Sequence, residues 1–214
     1  SCIPAPEDCA TPEDEDCDGA SPPCSGVVTS VTELGTNGEW SALATTPGGS
    51  AVAAGFVTSL ALNGEVLSGS VALRLDPAGA LAWGVSLPST HINSVAVLAD
   101  GRIVLGGDAQ GEINLPALGV FGSGGFVVVL NDDGSLDEGR SFYDSGVRVD
   151  VVEAAADGGY YIAGRVPGGR SIDFGLGSYV ANGDKTFVAK MDADNVVVWR
   201  SEEHTSELQS LTNL

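Results

Sequence analysis

The sequence predicts an all-β fold, and three observations carry that prediction. A pattern of apolar stretch, glycine turn and second apolar stretch recurs three times after residue 40, with turn glycines Gly49, Gly101 and Gly158 spaced 52 and 57 residues apart. The 214 residues include 30 glycines and 10 prolines, as expected of a chain with many turns. No repeat contains a credible helical periodicity. We therefore predict a partial β-propeller of about three four-stranded blades, preceded by an acidic head that is disordered or stapled by disulfides.

The first half of each repeat reads as two strands joined by a tight turn. The second strand ends in glycine each time, in the segments 51–55, 103–107 and 160–164. We expect these glycines to lie where the blades crowd around an inner channel, since a residue without a side chain lets other backbone approach.

The second half of each repeat reads as a strand followed by another turn. The turns begin at Asp76, Asn131 and Asp192, which lie 55 and 61 residues apart, and they end in Gly79, Gly134 and Asn195. Glycine and asparagine tolerate the positive φ of tight turns, while Asp or Asn at the start can bond its own backbone. A shorter strand is expected between the halves, near 60–62, 113–115 and 172–174.

A single blade cannot cover both faces of its sheet, so the blades are expected to stack face on face. The predicted blades span approximately 41–93, 94–148 and 149–199, with an edge strand at 27–40, and the whole propeller region covers 26–199. Closed propellers typically have about four to eight blades, so we predict a fragment of one. A β-sandwich is the alternative topology.

The third copy also resembles a known repeat. Residues 171–177 and Lys185 to Trp199 resemble the seven-bladed β-propeller (SBBP) repeat of bacterial secreted and cell-surface proteins. The resemblance is strong there, moderate over 94–131 and weaker in the first copy. It implies the propeller fold and a surface location, and it implies no conserved catalytic residues.

The head, residues 1–25, contains all four cysteines of the chain. They are Cys2, Cys9, Cys17 and Cys24. Their spacing lacks the C-x2-C knuckles of a zinc site, so we predict disulfides in an oxidising compartment, with three pairings open. Lipidation of Cys2, which would provide a lipid anchor, is the alternative for that residue.

The head also contains an incomplete calcium loop. Asp14, Asp16, Asp18 and Gly19 match the start of such a loop, but Ser25 stands where a bidentate glutamate is expected. Glu7 to Cys9 and Asp16 to Gly19 resemble the metal-binding motif of myxobacterial-type surface proteins. We predict either calcium bound by Asp14, Asp16 and Asp18, since hard oxygen ligands favour that ion, or a solvated acidic linker.

Charge excludes several classes of partner. With 29 acidic and 9 basic residues, the net charge of −20 disfavours nucleic acid and anionic membrane surfaces. No apolar run approaches the ~20 residues of a membrane span. The remaining predicted partners are a protein or a polysaccharide, and the predicted location is extracellular or on the outer surface of a bacterial cell.

No catalytic centre is evident in the sequence. The G-x-S-x-G elbow of serine hydrolases does not occur, and His91 is predicted to be a loop residue before the first strand of the second copy rather than a general base. We predict a non-enzymatic surface module for binding or structural presentation. The alternative is a propeller hydrolase or dehydrogenase whose catalytic residues lie in further blades.

The last residues differ in composition from the repeats. Arg200 to Ser210 resembles the in-frame translation of a short-read sequencing adapter, so residues 200–214 are expected to be a non-native tail.

Overall fold

A computed structural model describes residues 37–62, 64–115, 119–143, 146–175 and 177–202. The chain divides into two units, residues 1–31 and 32–214, and the described residues belong to the second. The predicted edge strand up to residue 36 and most of the tail lie outside the described residues. So do the head residues predicted to form disulfides, Cys2, Cys9, Cys17 and Cys24, and those predicted to bind metal, Asp14, Asp16 and Asp18.

The described residues form sixteen β-strands. They are β1 (Glu39–Thr45), β2 (Ala51–Leu62), β3 (Glu65–Leu75), β4 (Leu81–Leu87), β5 (Thr90–Val97), β6 (Ile103–Ala109), β7 (Ile113–Leu115), β8 (Gly119–Phe121), β9 (Gly124–Leu130), β10 (Leu136–Tyr143), β11 (Arg148–Ala154), β12 (Tyr160–Val166), β13 (Ser171–Asp173), β14 (Ser178–Val180), β15 (Lys185–Met191) and β16 (Val197–Glu202). In these ranges we find no helix with the length and apolarity needed to cross a membrane.

Twelve of these strands form three antiparallel sheets of four strands each. Blade 1 has the order β1-β2-β3-β4, blade 2 the order β5-β6-β9-β10, and blade 3 the order β11-β12-β15-β16. The predicted all-β, partial propeller fold is confirmed. Strand β16 continues to Glu202, three residues beyond the predicted end of the third blade.

The short strands expected between the halves do not belong to the blade sheets of blades 2 and 3. Strands β7 and β13 instead pair with β8 and β14 in separate two-stranded sheets. In blade 1 the corresponding residues form the end of β2, which pairs with a lengthened β3. The second strand of each small hairpin was not predicted, because its three residues have no counterpart that repeats along the chain.

Adjacent blades pack through their apolar faces. One buried cluster joins blades 1 and 2 and includes Val52, Ala72, Ile103 and Leu105, and another joins blades 2 and 3. The first strands of the blades, β1, β5 and β11, contact one another in series. These contacts bring the beginnings of three strands that are distant in sequence to one end of the structure.

The turns have the backbone conformations that the sequence predicts. The glycines near the first turn of each repeat and the residues ending the second turn all have positive φ, namely Gly49, Gly101, Gly158, Gly79, Gly134 and Asn195. Asp76 and Asp192 accept backbone N–H bonds within their own turns. Asn131 differs, since its Nδ2 donates to Ser135 Oγ at 3.0 Å while Asp133 accepts the backbone bond.

One position of the third blade strand carries a cation in blades 1 and 3, and the two cations are neutralised differently. Arg74 donates to the Asp132 main-chain oxygen of blade 2 at 2.9 Å and pairs with the Asp132 carboxylate. Lys190 stays within blade 3, where its Nζ donates to Asp157 Oδ1 at 2.6 Å. Lys190 is only 5% exposed, so this carboxylate compensates a buried charge.

We expect the free energy of unfolding of an Asp157→Asn variant to depend less on pH in the acidic range than that of the parent. The hydrogen bond from Lys190 lowers the pKa of Asp157 below its ordinary value of 3.8. A carboxyl group whose pKa is lower in the folded than in the unfolded state stabilises the fold at pH values above its unfolded-state pKa. This stabilisation disappears as the pH falls through the folded-state pKa. Urea unfolding at a series of pH values should therefore show a parent-minus-variant difference that is largest near neutrality and shrinks below pH ~4.

The matched control is Asp194→Asn, which replaces an exposed aspartate of a neighbouring turn that does not bond Lys190. Its pH profile should follow the parent. A parallel offset of the Asp157→Asn profile at every pH would contradict the assignment.

Candidate binding groove

Each blade has a β-bulge in its first strand, and the bulges position the polar residues of one end. The pairing of β1 with β2 shifts at Ser41, that of β5 with β6 at Asn93, and that of β11 with β12 at Asp150. An extra residue in one strand bends it and redirects its side chain. Three repeats thus place three polar side chains at equivalent positions.

The sequence suggested that the glycines ending the second strands lie in a crowded inner channel. The structure gives a more specific reason for glycine at these positions. Gly55, Gly107 and Gly164 lie opposite the bulges, where an added Cβ would overlap a carbonyl oxygen of the bulged strand. The bulge brings that carbonyl over the neighbouring strand, so only a residue without a side chain fits.

Two of the bulge residues connect adjacent blades. Ser41 Oγ donates to the main-chain oxygen of Ile92 in blade 2 at 2.6 Å, and Asn93 Nδ2 donates to that of Val149 in blade 3 at 2.9 Å. Ile92 and Val149 immediately precede the bulges of their own blades, so the two bonds are equivalent. Asp150, the third bulge residue, has a carboxylate and cannot make this bond when ionised.

An open groove lies beside these bulges. Its volume is about 350 Å³, and it draws residues from all three blades. A neighbouring depression of about 370 Å³ shares part of the lining, including Phe56, His91 and Gln110. The lining includes an exposed ring and several polar or charged side chains, namely Glu39, Phe56, His91, Asn93, Asp108, Gln110 and Arg148.

Asp108 organises the polar part of the groove. Its Oδ1 accepts a hydrogen bond from Asn93 Nδ2 at 3.2 Å and lies 3.2 Å from Arg148 Nε, while its Oδ2 lies 3.6 Å from His91 Nδ1. Gln110 Nε2 lies 3.4 Å from the same His91 nitrogen. An amide, a guanidinium and an imidazole group therefore converge on the Asp108 carboxylate, and Gln110 adds a second amide beside the imidazole.

The row of charges continues from Arg148 along blade 3. Arg148 Nη2 donates to Asn93 Oδ1 at 3.3 Å, and its Nε lies 3.6 Å from Asp150 Oδ1. Asp150 in turn accepts two bonds from Arg165, at 2.9 and 3.2 Å. The hydrogen bond to Asp150 raises the pKa of Arg165, which stays charged. Arg148 Nε is close to two carboxylates yet aligned with neither for a hydrogen bond.

Phe56 provides an apolar surface beside these groups. Phe56 lies within β2 and is 48% exposed, although most apolar side chains of that strand are buried. The two hydroxyls in the lining are already used, since Ser41 donates to Ile92 and Ser70 to the main-chain oxygen of Thr90. The groove thus combines one exposed ring with amide, imidazole, guanidinium and carboxylate groups.

The sequence did not predict this groove. It placed His91 in a loop, whereas His91 lies within β5 and contributes to the lining. Asn93, Asp108, Gln110 and Arg148 were not singled out. For Asn93 the signal was a polar residue at the equivalent positions 41, 93 and 150, opposite a repeated glycine.

The predicted metal site is in the head, which lies outside the described residues. Within the described ranges, no group of three or more histidine, cysteine or acidic side chains is arranged to hold a metal ion. Calcium bound by Asp14, Asp16 and Asp18 stays a prediction.

No known protein family matches the sequence, and no curated protein matches it. A solved structure that resembles the chain is that of a protein of unknown function from Bacteroides caccae, with a TM-score of 0.44, 14% sequence identity and coverage of 80% of this chain. The chain spans 64% of the length of that protein. The resemblance to the SBBP repeat stays a prediction.

Proposed function

We propose that this chain is a non-enzymatic propeller module of the bacterial cell surface that binds a neutral polysaccharide in the groove. The observation that carries the proposal is the exposed ring of Phe56 beside a set of convergent donors and acceptors. Binding sites commonly combine an apolar surface with a few polar groups that fix orientation. A sugar ring offers the complementary surface, an apolar C–H face bordered by hydroxyls.

The lining suits hydroxyl groups in particular. A hydroxyl both donates and accepts, and the groove supplies both functions through Asp108 and Gln110. Asp108 is held by Asn93, which is itself held by Arg148, so little rotamer entropy of Asp108 is lost when a ligand binds.

Charge favours a neutral polymer. The net charge of −20 repels polyanions over long distances, and the charges in the groove alternate in sign rather than forming a cationic patch. A neutral polysaccharide meets no such barrier.

The surface location and the metal role of the head belong to this proposal. They rest on the clustered cysteines and on the residues Asp14, Asp16 and Asp18. Calorimetry of the oxidised full chain with calcium should detect binding, and a variant with all three aspartates changed to asparagine should not bind. Absence of heat at millimolar calcium would leave the head with a disulfide role alone.

The groove is tested with neutral hexose oligosaccharides, using calorimetry and a glycan array. We expect binding by the parent, with a loss of about tenfold or more for Phe56→Ala and for Gln110→Ala, since each removes a contact of ~1.4 kcal/mol or more. Val180→Ala is the control because Val180 is exposed and lies on β14, outside the groove. It should bind as the parent does.

Other outcomes distinguish the alternatives. Equal binding by the parent and both groove variants would place the sugar elsewhere and contradict the proposal. Capture of proteins but not of sugars would indicate the predicted protein partner. Hydrolysis of a bound oligosaccharide would favour the enzyme alternative.

A further inference from the structure

The second depression, of about 370 Å³, continues the groove away from its charged residues. The two share Phe56, Ser70, His91 and Gln110, so a ligand that lies beside the Phe56 ring can extend into both. Asp108 and Arg148 line the groove only. Among the described residues, those that line the second depression alone are uncharged, namely Gly69, Ser89, Thr90 and Gly111. The chemistry of the second depression therefore suits an uncharged part of a ligand.

Ser89 has a backbone conformation that glycine would adopt more easily. It follows Pro88 in the turn between β4 and β5, and its φ is 61°. Glycine is the usual residue where a turn needs a positive φ after proline, because a Cβ in this conformation lies too close to the following carbonyl oxygen. The other described non-glycine residues with positive φ are asparagines, which tolerate it. The backbone at position 89 thus favours glycine over serine.

The Ser89 hydroxyl has no structural use that would offset this conformation. Ser89 is exposed, and its Oγ has no hydrogen-bond partner among the described residues. The two other hydroxyls of the lining are engaged, since Ser70 donates to the main-chain oxygen of Thr90 and Thr90 donates to that of Leu87. In the described lining of the second depression, Ser89 therefore supplies the hydroxyl that is open to a ligand.

Gly111 shows the reverse pattern. A Cβ built on Gly111 meets no atom within 4 Å, and its φ lies outside the left-handed region. Glycine loses more conformational entropy on folding than any other residue, and neither the packing nor the backbone requires it here. The missing side chain does leave the wall of the second depression open.

Ser89 and Gly111 are thus both residues that the local backbone does not favour, and both line the same depression. We propose that this depression is a second sugar subsite, in which Ser89 Oγ hydrogen-bonds a hydroxyl of the ligand and Gly111 leaves room for its ring. The subsite rests on the proposed function, the binding of a neutral polysaccharide. It makes a disaccharide unit the smallest ligand that fills both depressions.

The first test compares ligand lengths by calorimetry. The probes are neutral glucose, mannose and galactose oligomers and their monosaccharides. We expect a bound disaccharide to bind about tenfold or more tightly than its monosaccharide, because the second ring adds contacts in the second depression. Equal affinities of the two would overturn the second subsite and leave the proposed function standing.

A Ser89→Gly variant separates binding from folding. In urea unfolding it should be at least as stable as the parent, since glycine relieves the left-handed conformation. Its affinity for the disaccharide should nevertheless fall about three- to tenfold, the effect of one lost hydrogen bond. A variant that is less stable than the parent, or that binds the disaccharide equally well, would overturn the role of Ser89.

A Gly111→Leu variant obstructs the subsite. Its side chain should remove the gain in affinity of the disaccharide over the monosaccharide, whereas Gly111→Ala, the matched control with a small side chain, should keep most of that gain. A full gain in Gly111→Leu would overturn the second subsite. Failure of every oligomer to bind the parent would overturn the proposed function together with the subsite.

Discussion

Replacing Gly164 with alanine is expected to destabilise the protein by about 4 kcal/mol, a large part of the ~5–15 kcal/mol that a typical domain has. The added Cβ would overlap the main-chain oxygen of Arg148 at the bulge and would lie 2.8 Å from the Phe187 ring. Neither neighbour can yield easily, because the oxygen belongs to the backbone of β11 and Phe187 is buried. Urea unfolding and the yield of soluble protein measure the effect.

The matched control is Gly111→Ala. No atom lies within 4 Å of a Cβ built on Gly111, and its φ is outside the left-handed region. Its stability should stay within about 0.5 kcal/mol of the parent, as for ordinary surface changes. If Gly164→Ala were as stable as Gly111→Ala, the bulge would not impose the glycine.

The periodic part of the fold could be predicted from the sequence. Turns such as Asp76 to Gly79 and Asp192 to Asn195 have chemical requirements that leave a signal in every copy, namely a residue that bonds its own backbone and one that tolerates positive φ. Because the period is visible, the number of blades and the order of their main strands follow.

Features that do not repeat, or that depend on contacts between strands, could not be predicted in the same way. The small hairpins of β7 with β8 and of β13 with β14 vary in sequence, and three residues are too few for a periodic signal. The glycines opposite the bulges repeat visibly in the sequence, but what requires them is a carbonyl oxygen of the preceding strand that only the folded sheet brings close.

The groove illustrates the same limit for function. His91, Asp108 and Arg148 come from two blades and three strands. His91 and Arg148 occupy equivalent positions of the second and third repeats, 57 residues apart, but this spacing does not show that both approach Asp108. Only the stacking of β5 against β11 brings them together. The metal ligands predicted in the head form a local motif, which is why the sequence could suggest them.

Replacing Phe174 with alanine is expected to cost about 3 to 5 kcal/mol, the range for removing a buried phenylalanine. Phe174 directly follows β13 and is 1% exposed. Its ring lies 5.1 Å from the ring of Phe142 in blade 2 and 5.1 Å from that of Phe187 in blade 3. Such tilted aromatic pairs stabilise beyond the area that they bury.

Removing the Phe174 ring should also weaken the contact between blades 2 and 3. The Phe174 main-chain oxygen accepts a bond from Arg140 of blade 2 at 2.9 Å, so the residue connects the blades through both ring and backbone. A cavity there should weaken the contact between blades 2 and 3, and amide hydrogen exchange should rise in β10 and β15 together while β1 and β2 change less.

Phe56→Ala is the matched control, since the same substitution at a half-exposed ring should cost about 1 kcal/mol or less. If the Phe174→Ala and Phe56→Ala variants lost the same free energy of unfolding, the hairpin of β13 and β14 would not support the contact between blades 2 and 3. A large loss confined to β13 and β14, with unchanged exchange in β10, would mean that the hairpin folds on blade 3 alone. Because the ring of Phe174 touches both blades, we expect the exchange to rise on both sides of the interface.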